Sequence, residues 1–195
     1  MELVITITVL TILTLGVMPL VKVSVRRQKE QQLRETLRQI RTAIDEFHRD
    51  TIGMVCTGAA LTQQQQLQQQ QQQAVFLDPR SKVVISDCTI FGVDNPDHYP
   101  PDLETLVSGV NVMPRGVNPA IGNPNVPPTQ MNQMSTKQKV YLRALPIDPM
   151  TGKADWDLRS SYDRADSGSW GGENVFDVRS KSKASALNGE KYSDW

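Results

Sequence analysis

Charge of neither sign prevails in this chain: its 195 residues hold 21 Lys+Arg and 21 Asp+Glu, which disfavours binding of nucleic acid through net basicity. Aromatic residues make up only 6%, leaving a small core for the length. Full disorder is excluded by three Trp and four Tyr in patterned contexts. Histidine occurs only at His48 and His98, and neither has a nucleophile or metal-ligand pattern around it. Cysteine occurs only at Cys56 and Cys88, with no CxxC motif or clustered His to suggest a metal. A Gly-rich phosphate loop is also missing, because Gly171-Gly172 lacks the helix signature that should follow it. Ser180-Lys181-Ser182-Lys183 offers a nominal Ser-Lys pair but reads as a solvated turn. The chain is therefore read as a non-enzyme, with no catalytic residue and no cofactor.

What it does hold is an apolar run from Leu3 to Val21, broken only by Thr6, Thr8, Thr11, Thr14 and Gly16, with Pro19 near its end. That length suffices for a membrane span. A cleaved signal would need a basic start and a small-residue cleavage site, and neither is present. Residues 1–23 are thus expected to form a transmembrane helix. Lys22, Arg26, Arg27 and Lys29 follow, which as a simple topology signal would place the C-terminal side in the cytoplasm. Leu33, Leu37, Ile40, Ile44 and Phe47 come next at spacings of four, three, four and three, a helical period with one narrow apolar stripe. Residues 24–50 are expected to continue the helix, with Glu35 and Arg38 able to pair on its exposed side. Together the two parts predict a rod on the order of 70 Å long at ~1.5 Å per residue. Pro19 should kink it, since its ring removes a backbone donor and crowds the preceding turn. Glu2, at the lip of the apolar run, has two readings. It lies in the headgroup region beside the amino terminus, as position alone favours, or it neutralises a cationic group on a neighbouring chain.

Glu2-Leu3-Val4-Ile5-Thr6, the apolar run, Pro19 and the long amphipathic helix resemble the N-terminal segment of type IV pilins and type II secretion pseudopilins. Tyr99-Pro100-Pro101-Asp102-Leu103-Glu104-Thr105-Leu106-Val107 and Tyr141-Leu142-Arg143-Ala144-Leu145-Pro146-Ile147-Asp148-Pro149 look like segments of the major pseudopilin, the G component. So does the close, from Asn174-Val175-Phe176-Asp177-Val178-Arg179-Ser180 through Asp194-Trp195. The resemblance covers roughly half the chain in the expected order. It implies an α+β, pilin-like fold, with the long N-terminal helix packed on a small C-terminal antiparallel sheet. It implies a structural subunit of a periplasmic filament for protein secretion, held in the bacterial inner membrane by a single pass with its C-terminal domain in the periplasm. The implied partners are copies of itself, the lipid bilayer before assembly, the inner-membrane secretion platform, minor pseudopilins and prepilin peptidase. Glu2 is the residue implied in subunit assembly. Family members carry a basic leader ending in Gly, then Phe-Thr-Leu and a further apolar residue, before this glutamate. Met1 therefore reads as an internal methionine or the chain as truncated; a true start there would leave no peptidase site and no N-methylated Phe. A type IV pilin, a minor pilin and a membrane-anchored periplasmic binding protein are the alternatives.

Residues 51–93 read as an insertion into the family pattern, with ten Gln in the runs Gln63 to Gln66 and Gln68 to Gln73, too polar to offset its ordering entropy. Cys56 and Cys88 bracket the Gln tract, and in the implied oxidising compartment they are candidates for a disulfide, with two free buried thiols as the other reading. Residues 94–195 form the expected globular region. Pro100-Pro101-Asp102 opens a short helix with Leu103, Leu106 and Val107 on its apolar face. Five prolines between 108 and 138 predict a long loop there. Val140-Tyr141-Leu142, Asp155 to Arg159 and Asn174 to Val178 predict strands of one small antiparallel sheet, with a turn over Asp148 to Gly152. Trp156, Phe176 and Val178 are its candidate core residues. Major pseudopilins commonly hold calcium near the C-terminus, but the carboxylate expected after Ser180 is missing and Lys181 and Lys183 occupy the stretch, so calcium is disfavoured.

Overall fold

A computed structural model of the chain describes residues 2–54, 80–115, 137–164 and 167–195, without side chains at 13–20. The fold is α+β: one long N-terminal helix followed by short strands in small antiparallel sheets. Helix α1 runs from Glu2 to Thr51, continuous through position 19. The expected kink at Pro19 falls outside the described side chains. Burial on α1 follows the apolar period, with Leu33, Leu37, Ile40, Ile44 and Phe47 all at 2% exposure or less. The helix stops at Gly53, whose φ of +78° suits the left-handed turn that ends helices.

One expectation is overturned. Among the described residues no helix is long and apolar enough to cross a membrane, which contradicts the transmembrane helix and the single-pass inner-membrane location.

The chain divides into two compact units, and α1 passes from one to the other between Gln39 and Ile40. The first comprises residues 1–39, 146–157 and 179–195. Its buried Asp148 organises the expected turn: Oδ1 accepts from Met150 N at 2.7 Å and Oδ2 from the Ser180 hydroxyl at 2.7 Å, while Gly152 N donates back to Asp148 O at 2.7 Å. Trp156 is 4% exposed and donates its indole N–H to Pro146 O at 3.0 Å. Near the end, Ser185 bridges Lys191 across a tight turn, and Tyr192–Asp194 forms a 3-10 turn with Tyr192 buried.

The second unit comprises residues 40–145 and 158–178. It holds a three-stranded antiparallel sheet in the order β1-β2-β3, from Val83–Ile85, Val110–Pro114 and Lys137–Lys139. Val83 pairs with Pro114, and Val110 with Lys139. Ile85, Val110 and Val112 are buried from this sheet. Helix α2, Leu103–Ser108, is capped by Asp102, which accepts from Thr105 N at 2.6 Å. It ends at Gly109, with φ +80°, where a Cβ would stand 2.7 Å from Lys139 O, so only glycine lets β3 approach. Strands β4, Trp156–Arg159, and β5, Asp177–Ser180, form a separate two-stranded sheet.

The expected single sheet is therefore two. Strand β1 lies inside the segment read as an insertion, and β2 inside the segment read as loop; four of the five prolines in 108–138 follow Pro114 and lie beyond the strand, so they do not bar it. Residues 116–136 and the Gln tract lie outside the described residues. The strand expected at Val140 to Leu142 is instead β3, three residues earlier. Phe176, expected in the core, is 48% exposed while Val175 is at 0%. The regular strand begins only at Asp177, so the alternation that grouped Phe176 with Val178 does not extend back to it.

Candidate functional site

The start of α1 stands out because its apolar side chains from Leu3 to Ile12 are exposed. Leu3, Val4, Ile5, Ile7, Val9, Leu10 and Ile12 are 51–71% exposed. At 3.6 residues per turn these seven positions fall on every side of the helix. The threonines among them do not break the surface. Thr6 Oγ1 donates to Leu3 O at 3.0 Å and Thr11 Oγ1 to Ile7 O at 2.7 Å, with Thr8 bonded likewise to Val4 O. Each hydroxyl is thus satisfied by its own helix. Glu2 sits exposed in the first turn, where the helix dipole favours a negative charge.

Below this surface the first unit grips α1 with its own C-terminal residues. Glu30 Oε1 accepts from the Tyr192 hydroxyl at 2.9 Å and from Leu187 N at 2.9 Å. Arg26, four residues earlier on α1, donates to the Tyr192 hydroxyl at 3.3 Å and to Ser185 O, and lies 3.7 Å from Glu30. One turn further on, the Arg34 guanidinium covers the Trp195 ring at 4.3 Å, Trp195 donates its indole N–H to Glu190 at 3.2 Å, and Tyr192 meets Trp195 edge to face. Lys181, read as an obstacle to a cation, is paired with Asp155 at 2.6 Å. No group of three metal-ligating side chains occurs among the described residues.

In the second unit the end of α1 is fixed by a buried ionic cluster. Asp50, 1% exposed, accepts from Lys139 Nζ at 2.6 Å, the Tyr141 hydroxyl at 2.9 Å and the Ser81 hydroxyl at 2.7 Å. Arg115 donates to Ile52 O at 2.7 Å and Arg49 O at 3.0 Å, capping the last helical carbonyls, and to Ser81 at 2.9 Å. Burial opposes the charge on Lys139, but hydrogen bonds to Asp50 and Glu46 outweigh it and hold its pKa above the ordinary lysine value. Burial, then the neighbouring Asp50 charge, raises that of Tyr141 far above the usual phenol value. Burial lowers the pKa of His48, against the pull of Asp97 and Asp45; its ring stacks on Tyr99 at 4.1 Å.

The structure thus places Leu33 and Leu37 in the buried face of the first unit and Ile40, Ile44 and Phe47 in that of the second, where Phe47 meets Tyr141 at 5.3 Å and Phe91 at 6.0 Å. Val178 is fully buried and Phe176 touches Tyr99 edge-on at 5.1 Å. Cys88 is held in a disulfide, and the chain's other cysteine, Cys56, lies outside the described residues. Sequence reasoning missed Glu30, Asp50 and Lys139. An acid in the last turn of a helix works against the dipole, so Asp50 was the one signal of a buried cationic partner. No protein-family model, no curated protein and no solved structure matches this chain.

Proposed function

We propose that the chain is a structural subunit that polymerises through the N-terminal half of α1, a pseudopilin resembling the major subunit of type II protein secretion. The observation that carries this is the all-round exposure of Leu3 to Ile12 on a helix whose apolar stripe from Leu33 to Phe47 is buried by the chain itself. Covering seven aliphatic side chains stabilises by on the order of 10 kcal/mol, comparable to the cost of association. One neighbouring helix shields one side, so several copies must surround each helix. A heterologous, non-closing contact supplies that arrangement and makes a filament. Glu2, at the start of the packed helix, is then positioned to meet the cationic amino terminus of an adjacent copy, an interaction favoured once both are removed from water.

Sedimentation of the full-length chain over a range of concentrations tests the reading. Assembly should appear, and Ile5→Asp together with Leu10→Asp should abolish it while leaving the thermal melt unchanged. Glu2→Ala should do the same. A wild-type chain that stays monomeric at all concentrations, or one that assembles equally well with both aspartates present, refutes the proposal.

A further inference from the structure

The chain is neutral as a whole but its charge is unevenly divided. The first unit carries eleven Lys+Arg against eight Asp+Glu, and the second ten against thirteen. Much of the positive excess stands on α1, on side chains that the C-terminal residues do not engage. Lys22, Arg27 and Lys29 are exposed and make no ion pair among the described residues, whereas Arg26 is engaged by Glu30 and Tyr192.

The second unit presents the opposite surface. An open cleft of about 580 Å³ is lined by Asp94, Pro96, Tyr162, Gly171, Gly172 and Glu173, with two carboxylates and no cation among them. Asp94 is exposed and makes no hydrogen bond among the described residues, and Glu173 is half-buried, with its Oε2 buried and without a hydrogen-bond partner. Tyr162 is 50% exposed, and its hydroxyl donates to Asp97 Oδ2 at 2.7 Å, which fixes the ring as a platform for a cation. The Glu173 carboxylate packs against the backbone of Gly171, where a Cβ would stand 2.3 Å from Oε2.

We infer that this acidic, tyrosine-lined cleft receives the basic stretch Lys22 to Lys29 of α1 from a second copy of the chain. The inference rests on the assembly reading and extends it, because a heterologous contact needs two different surfaces on each copy and the apolar helix is one part of a matched pair. Opposite charges at such a contact speed encounter and fix its register, and like charges there are strongly unfavourable.

Two full-length variants test it, one with Lys22→Glu, Arg27→Glu and Lys29→Glu, the other with Asp94→Lys and Glu173→Lys, and Asp94→Lys alone serves if the pair disturbs the melt. Each alone should lose assembly about tenfold or more, since each places like charges face to face. Mixed in equal amounts they should co-sediment at close to the wild-type level, because each helix then meets a cleft of opposite sign. Assembly of the single variants at the wild-type level overturns this inference while leaving the helix-packing reading intact. Loss without rescue on mixing, with unchanged melts, also overturns the pairing. A wild-type chain that never sediments overturns the assembly reading and this inference with it.

Discussion

Replacing Asp50 by alanine sets two physical effects of opposite sign against each other. Asp50 stands in the last turn of α1, where the dipole disfavours an anion, so from that effect alone its removal would stabilise by about 0.3–1 kcal/mol. The buried cluster demands the reverse. Alanine would leave the Tyr141 hydroxyl without its acceptor, leave the Ser81 hydroxyl only Val83 O, and remove one of two carboxylates from Lys139. Breaking a buried ion pair by deleting one partner costs about 3–5 kcal/mol. Glu46 stays 2.7 Å from Lys139, whose side chain is 27% exposed, so the lower end of that range applies, about 3 kcal/mol. Tyr141→Phe removes a single hydrogen bond to a charged acceptor and should cost about 1.5 kcal/mol. Urea unfolding of the wild type, both variants and the double variant measures each term, and the cycle should return a coupling above about 0.5 kcal/mol. If Asp50→Ala leaves the urea midpoint unchanged or raises it, the dipole effect governs the site and the account of the cluster is wrong.

Three other outcomes follow from the geometry. Because burial depresses the folded pKa of His48, the unfolded chain binds the proton more readily, so stability is complete above the unfolded value of about 6.5 and is lost as pH falls through the folded value; melts of His48→Gln should lose that part of the acid sensitivity, and an identical pH profile would refute it. Trp195→Ala should lower the melting temperature more than Asp194→Ala, since Trp195 covers Tyr192 and Arg34 whereas Asp194 is exposed, and neither chelator nor added calcium should shift the wild-type melt; a calcium-dependent rise would show that an ion shares the work of the Glu30 contacts. Gly109→Ala should destabilise by about 2 kcal/mol or more, from both its positive φ and the approach of Lys139 O, while Gly152→Ala, with open space around it, should cost only about 1–2 kcal/mol.

The parts of the fold legible in the sequence were those fixed by local pattern. The spacing of Leu33 to Phe47 specifies a helix and its buried face whatever lies against it, and Asp102 after two prolines specifies the start of α2. The sheets were less legible because their strands are three to five residues long and owe their existence to pairing. Val83–Ile85 gains its place only by aligning with Val112 to Pro114, on the far side of α2 in the sequence. Lys137–Lys139 has no strand signature at all, with exposed polar residues at two of its three positions, yet it pairs with β2 and carries the ammonium that meets Asp50. Clusters such as Asp50, Ser81, Lys139 and Tyr141 join residues up to 91 positions apart, and no local window contains that information.

The position of the Glu30 contacts also explains where the exposed part of α1 begins. From Leu33 onward the chain buries the helix with its own residues, and Tyr192, Leu187 and Ser185 reach back only as far as Arg26. Before that point the described side chains of α1 are all exposed. Under the assembly proposed above, the described side chains at 2–12 and 21–25, on a stretch of about 24 helical residues, roughly 36 Å long, are those a neighbouring copy would cover. A helix of this length is not stabilised in water by propensity alone, since isolated helices depend on packing for most of their stability. It is continuous with a segment the chain does hold, so the helical conformation is propagated outward from Arg26 without a separate nucleation step. Under the proposed assembly a neighbouring copy would meet a surface already ordered, and much of the entropy opposing association would be offset within the subunit.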